Sequence, residues 1–124
     1  MTSKRVLLIG NCILDQSELN RSIRGQFDAE VVAAPRWEEA REILREGRFD
    51  LILVNRRLHG ENREGVEVIS EIKSDPALAE LPVMLLSNFA EYQQAAVSAG
   101  AEPGSGKAQL DHLETRRKLG RFLA

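Results

Sequence analysis

Apolar residues along this chain gather in five short blocks separated by amphipathic stretches, and the two kinds of segment alternate from end to end. The block RVLLIG, residues 5–10, is continuously apolar and branched enough to predict a strand covered on both faces. Leu19, Ile23 and Phe27 then recur at helical spacing, with Asp15 or Ser17 as the expected cap and Gly25 near the end. A second block, EVVAA, stops at Pro35. After it, Trp37, Ala40, Ile43 and Leu44 mark an amphipathic helix that Gly47 ends.

The block FDLILVN, residues 49–55, is the clearest buried strand, and the polar loop RRLHGENREG follows it. Val66, Ile69 and Ile72 mark one face of a helix ended by Asp75-Pro76. Pro82 introduces the strand PVMLLS, after which Ser87 or Asn88 caps a helix holding Phe89, Tyr92, Ala95, Ala96 and Val97, closed by Gly100. The octapeptide AEPGSGKA, residues 101–108, predicts a weak, flexible fifth strand, and Leu110, Leu113, Leu119, Phe122 and Leu123 a last helix.

Strict alternation of this kind implies right-handed βαβ crossovers and a parallel sheet with helices on both faces, a three-layer doubly wound α/β fold. Residues 1–124 are read as one domain with no output domain. In such a sheet, ligand chemistry belongs at the carboxyl ends of the strands, beside the point where strand order reverses. The residues standing there are Gly10, Asn11 and Cys12, then Asn55, Arg56 and Arg57, then Ser87 and Asn88, then the octapeptide.

Composition changes this picture little. With 43% apolar and 29% charged residues the chain has an ordinary globular make-up, and a net charge of -2 weighs against nucleic acid as a partner. The basic cluster Arg116, Arg117, Lys118 and Arg121 is better explained as complementing the dipole of the last helix. Cys12 is the sole cysteine, so no internal disulfide forms, and a cytoplasmic location is expected. VLLIGNCIL is too short to span a membrane and lacks a signal-peptide cleavage site. Neither His59 nor His112 has partners at metal-ligand spacing, and no metal or cofactor is expected.

The octapeptide comes close to the phosphate-cradling pattern of nucleotide hydrolases, but Ala108 stands where a hydroxyl would hold the metal. It also follows a helical segment, YQQAAVSAG, whereas a phosphate loop follows a strand. A hydrolase is therefore the third-ranked reading.

In their order, VLLIGN, FDLILVNRRL, PVMLLS and AGAEPGSGK resemble the receiver domains of two-component response regulators over essentially the whole chain. The resemblance implies a flavodoxin-like (βα)5 fold with strand order 2-1-3-4-5. It places Gly10 and Asn11 where the family has an acidic, Mg2+-holding pair, and Asn55 where it has the phosphoacceptor aspartate. Ser87 and Lys107 match the family's hydroxyl and lysine, Gly104 replaces its switch aromatic, and Ala108 replaces the proline after the lysine.

An amide is a poor nucleophile, and Mg2+ requires hard oxygen ligands that Gly10 and Asn11 do not supply as carboxylates. The expected site keeps Lys107 while losing the family's acids, and Arg56 and Arg57 add positive charge. The resemblance thus points to a non-phosphorylatable interaction module without enzymatic activity, in two-component-type signalling. Its partner would be a kinase, another regulator or a second copy in a homodimer. The alternative is a sensor of a small anion, bound around Asn55, Arg56, Arg57, Ser87 and Lys107. His59 and Arg63 add to that basic loop, unless Glu61 and Glu64 pair with its arginines.

Overall fold

The computed structural model describes residues 3–124, which form one five-stranded parallel sheet between two helical layers. The strands are β1 (Lys4–Ile9), β2 (Ala29–Ala34), β3 (Leu51–Asn55), β4 (Val83–Leu86) and β5 (Glu102–Ser105), and the helices alternating with them are α1 (Ile13–Gln26), α2 (Trp37–Glu46), α3 (Gly65–Ser74), α4 (Ala90–Ser98) and α5 (Leu113–Leu123). Strand order is 2-1-3-4-5 and every pairing is parallel.

The central strands β1, β3 and β4 are apolar over VLLI, LILV and VMLL because both their faces are covered there. Leu7, Ile9, Ile52, Val54, Val83 and Leu85 point to one layer, where they meet Trp37, Ala40, Leu44, Val68, Ile69, Ile72 and Ala96 of α2, α3 and α4. Their chain neighbours Val6, Leu8, Leu51, Leu53, Met84 and Leu86 point to the other, against Leu19 and Ile23 of α1 and Leu119 and Leu123 of α5. The alternation is the two-residue period of a strand read on a doubly covered sheet. Burying each such Leu or Ile contributes roughly 1.5–3 kcal/mol.

Helix starts differ from the expected caps. Neither Asp15 nor Ser17 caps α1; Cys12 holds the cap position and makes no side-chain cap bond. The helix begins earlier because the chain leaves β1 through Gly10, at φ +84, and turns at once. Phe89, not Ser87 or Asn88, is the cap residue of α4, although Ser87 Oγ accepts the Phe89 N–H at 3.1 Å. α2 borrows its cap from another loop, since its first N–H, on Trp37, donates to Glu61 Oε2 at 3.0 Å. The last helix starts at Leu113, later than expected, because a short 3-10 turn at Lys107–Gln109 intervenes and Leu110 is buried ahead of α5.

The glycines near β5 answer close packing. Gly104 and Gly106 are buried, and a Cβ at Gly104 would strike the Leu85 carbonyl. Gly65, the first residue of α3, is pressed against the Asn55 carbonyl and lies 2.8 Å, from its absent Cβ, from Leu85 Cδ1. Alanine is ordinarily the better helix residue by about 1 kcal/mol, but here the sign reverses. Gly65→Ala is expected to destabilise the protein by about 1–3 kcal/mol, the range for overpacking, read as a lower urea midpoint at unchanged m-value.

Candidate functional site at the carboxyl edge

Each candidate residue lies at the carboxyl edge of the sheet, at the ends of β1, β3, β4 and β5. Gly10 and Asn11 follow β1, Asn55 ends β3, Ser87 follows β4, and Lys107 opens the turn after β5. An open cleft of about 360 Å³ runs among Asn55, Arg57, Ser87 and Lys107, and a neighbouring one of about 430 Å³ among Cys12, Asp15, Asn55 and His59.

Asn55 governs this edge. Its Nδ2 donates to the Gly10 carbonyl at 3.2 Å and to the Arg57 carbonyl at 2.7 Å, tying the loop after β1 to the loop after β3. Both hydrogens of the amide are used, and both acceptors are backbone oxygens. A carboxylate has no hydrogen to give and would oppose the two carbonyl dipoles. The Gly10 carbonyl also accepts the His59 N–H at 2.9 Å, so it is doubly occupied.

The residues after β1 fit a divalent cation poorly. Gly10 has no side chain, and a Cβ there would lie 2.5 Å from Leu58 Cγ. Asn11 is 1% exposed; its Oδ1 is buried without a partner while its Nδ2 makes a long 3.5 Å contact with the Ile9 carbonyl. One neutral acceptor and an amide that donates do not make a magnesium site, which takes carboxylates and water in octahedral array. No group of three or more His, Cys, Asp or Glu among the described residues is placed to hold a metal ion.

Lys107 is not the free cation that the alignment of residues suggests. Its Nζ donates to Asp15 Oδ2 at 2.6 Å, bridging the turn after β5 to the first turn of α1. The hydrogen bond from Lys107 holds the Asp15 carboxyl below its ordinary 3.8; burial opposes this, while the Lys107 charge, the Cys12 thiol and His59 act in the same direction. Asp15 was legible as a cap candidate, but its pairing was not. A lysine without a nearby acid in the strand-end residues was the signal that some other element supplies one.

The arginines are likewise engaged. The Arg56 guanidinium lies 5.0 Å from the Tyr92 ring centroid, and Arg57 donates to Asn62 Oδ1 at 2.9 Å. Arg63 pairs with Glu61 at 3.9 Å, as the sequence suggested, but also with Glu71 of α3 and not with Glu64. Ser87 is buried, with its hydroxyl on the Phe89 N–H and its carbonyl accepting from Gln93.

A profile described as Response regulator receiver domain matches residues 6–104. The chain belongs to that family. Among solved structures, this receiver superposes on a putative response regulator from Chloroflexus aurantiacus with a TM-score of 0.80 at 18% identity, covering 98% of each chain. It is similar to the chemotaxis response regulator CheY4 of Vibrio cholerae, at TM-score 0.74 and 21% identity over 98% of this chain and 100% of that one. It is similar also to the Thermotoga maritima response regulator TrrA, solved with Mg2+-BeF, at TM-score 0.78 and 22% identity over 97% and 99%. No curated protein matches the chain. At these identities the structural likeness speaks for the fold alone.

Two outcomes follow from the receiver's geometry. Asn55→Asp is expected to lower stability by about 1–3 kcal/mol at neutral pH, the net weight of two intramolecular hydrogen bonds at about 0.5–1.5 kcal/mol each. The loss shrinks in acid, where the protonated side chain regains one donor; denaturation at two pH values checks it. Asp15→Asn is expected to cost about 0.2–1 kcal/mol, the range for a solvent-screened pair, since both side chains are more than a third exposed. Because the folded carboxyl titrates below 3.8, that difference is complete above 3.8 and vanishes as pH falls through the lowered value.

Proposed function

We propose that this receiver acts without phosphoryl transfer, as a module that binds protein partners in two-component-type signalling. The observation that carries the reading is the pair of hydrogen bonds from the Asn55 amide to the Gly10 and Arg57 carbonyls. The position offers a donor where phosphoryl transfer needs an anionic oxygen, and the strand-end residues offer no carboxylate to gather a cation against the accumulating charge. Two acids line the cleft beside Asn55, and both are engaged: Asp15 pairs with Lys107, and Glu61 accepts the Trp37 N–H and lies 3.9 Å from Arg63.

Apolar exposure supports a protein partner. Ile13 and Leu14 are 79% and 78% exposed, and Phe89 and Leu113 are 56% and 64% exposed. All four stand at helix starts, the first two residues of α1, the cap of α4 and the first residue of α5, so they ring the carboxyl edge. Large apolar side chains gathered at one edge mark a contact surface better than a solvated one. Within this reading the partner is a kinase, another regulator or a second copy, and the setting is cytoplasmic. Among the described residues no helix is long and apolar enough to cross a membrane.

The alternative, a sensor of a small anion, draws no comparable support. Lys107 is neutralised by Asp15, Arg56 lies on Tyr92 and Arg57 is held by Asn62.

Incubation with acetyl phosphate and Mg2+ is expected to leave the intact mass unchanged. A phosphorylated species, or amide shifts that require both reagents together, would overturn the reading. Ile13→Asp combined with Leu14→Asp is expected to abolish capture of the partner from native extract while leaving the fold intact by circular dichroism.

A further inference from the structure

The seam between β4 and β5 is not a normal parallel ladder. β5 is four residues long and includes Pro103, which has no N–H to donate, and its register against β4 shifts between Met84 and Leu86. A side chain from α4 fills the break. Gln93 Nε2 donates to the Leu85 carbonyl at 2.9 Å and the Ser87 carbonyl at 3.0 Å, while its Oε1 accepts the Gly104 N–H at 2.9 Å. A primary amide carries the same donor and acceptor as a peptide group, so Gln93 stands in for a missing stretch of strand.

Gly104 is held from every side. Its N–H goes to Gln93, its carbonyl accepts from Lys118 Nζ of α5 at 3.1 Å, and a Cβ would collide with the Leu85 carbonyl. Four elements therefore meet at one residue that tolerates no side chain. Ser87 joins the same knot, since its N–H donates to the Ser105 carbonyl at 3.1 Å and its hydroxyl receives the Phe89 N–H. Half-buried hydrogen bonds of this kind reinforce one another and resist rearrangement together.

We propose that Gln93 is a positioning residue that locks α4, β4 and β5 in a single arrangement. The face presented by α4 and β5 is then set by the fold and insulated from events at the Asn55 and Lys107 edge. The lock stands on the geometry alone; its regulatory meaning, a constitutive partner surface, rests on the interaction-module reading above.

The test is amide hydrogen exchange on the full chain, comparing wild type with Gln93→Met, which keeps the length and burial of the side chain without its hydrogen bonds, and with Gln93→Ala. Exchange at the Gly104 amide and its β5 neighbours is expected to quicken by about tenfold or more in Gln93→Met, roughly the equilibrium weight of one hydrogen bond. Protection in β1 and β3 stays as in wild type. Asp15→Asn then probes insulation, since it breaks the Lys107 pair at the site: its amide shifts are expected to stay at that edge when Gln93 is present and to reach α4 and β5 in the Gln93→Met background. Unchanged protection at Gly104, a uniform rise over all strands, or Asp15→Asn shifts that reach α4 with Gln93 in place would each overturn the lock. Phosphorylation of the chain would overturn the functional reading and leave this exchange result standing.

Discussion

The arrangement of the carboxyl edge depends on the hydrogens of one amide. Asn55 ends the central strand of the sheet and spends both Nδ2 hydrogens on carbonyls from two loops, Gly10 after β1 and Arg57 after β3. This fastens the two loops across the place where strand order reverses. An acid at the same position would push the carbonyls apart. Asn55 thus presents a donor to both loops, the geometry on which the proposed reading without phosphoryl transfer rests.

Other features of the edge accord with that role of Asn55. With no carboxylate at the ends of β1 and β3, Lys107 finds its counter-charge on α1, at Asp15, and the pair bridges the turn after β5 to the start of that helix. The arginines of the loop after β3 settle on Tyr92 and Asn62. Exposed around the edge, besides polar residues such as Arg57 and His59, are four large apolar side chains: Ile13, Leu14, Phe89 and Leu113. Charged side chains paired with their own neighbours, ringed by exposed apolar ones, favour contact with protein over capture of an ion.

The architecture was legible because it rests on periodicities. Strands buried on both faces need unbroken apolar runs such as FDLILVN, and helices covering them need one apolar stripe, as Trp37, Ala40 and Leu44 provide. The strand-end positions Gly10, Asn11, Asn55 and Ser87 were legible for the same reason, since each follows an apolar run, whereas Lys107 was singled out by the resemblance to receiver domains. Helix starts were read less well, because Glu61 caps α2 from a loop more than twenty residues away and Cys12 caps α1 with no side-chain bond at all.

By itself, then, the sequence determined the layers, the parallel sheet, and which residues stand at its carboxyl edge, all of which follow from spacing along the chain. Only the tertiary structure decided what those residues touch. Asp15 answering Lys107, Gln93 replacing a stretch of ladder and Lys118 closing on Gly104 each join segments that lie far apart or on different elements. Local pattern encodes burial, which is a property of one residue against solvent. Pairing of polar groups is a property of two residues brought together, and the distance between them exists only once the helices have packed.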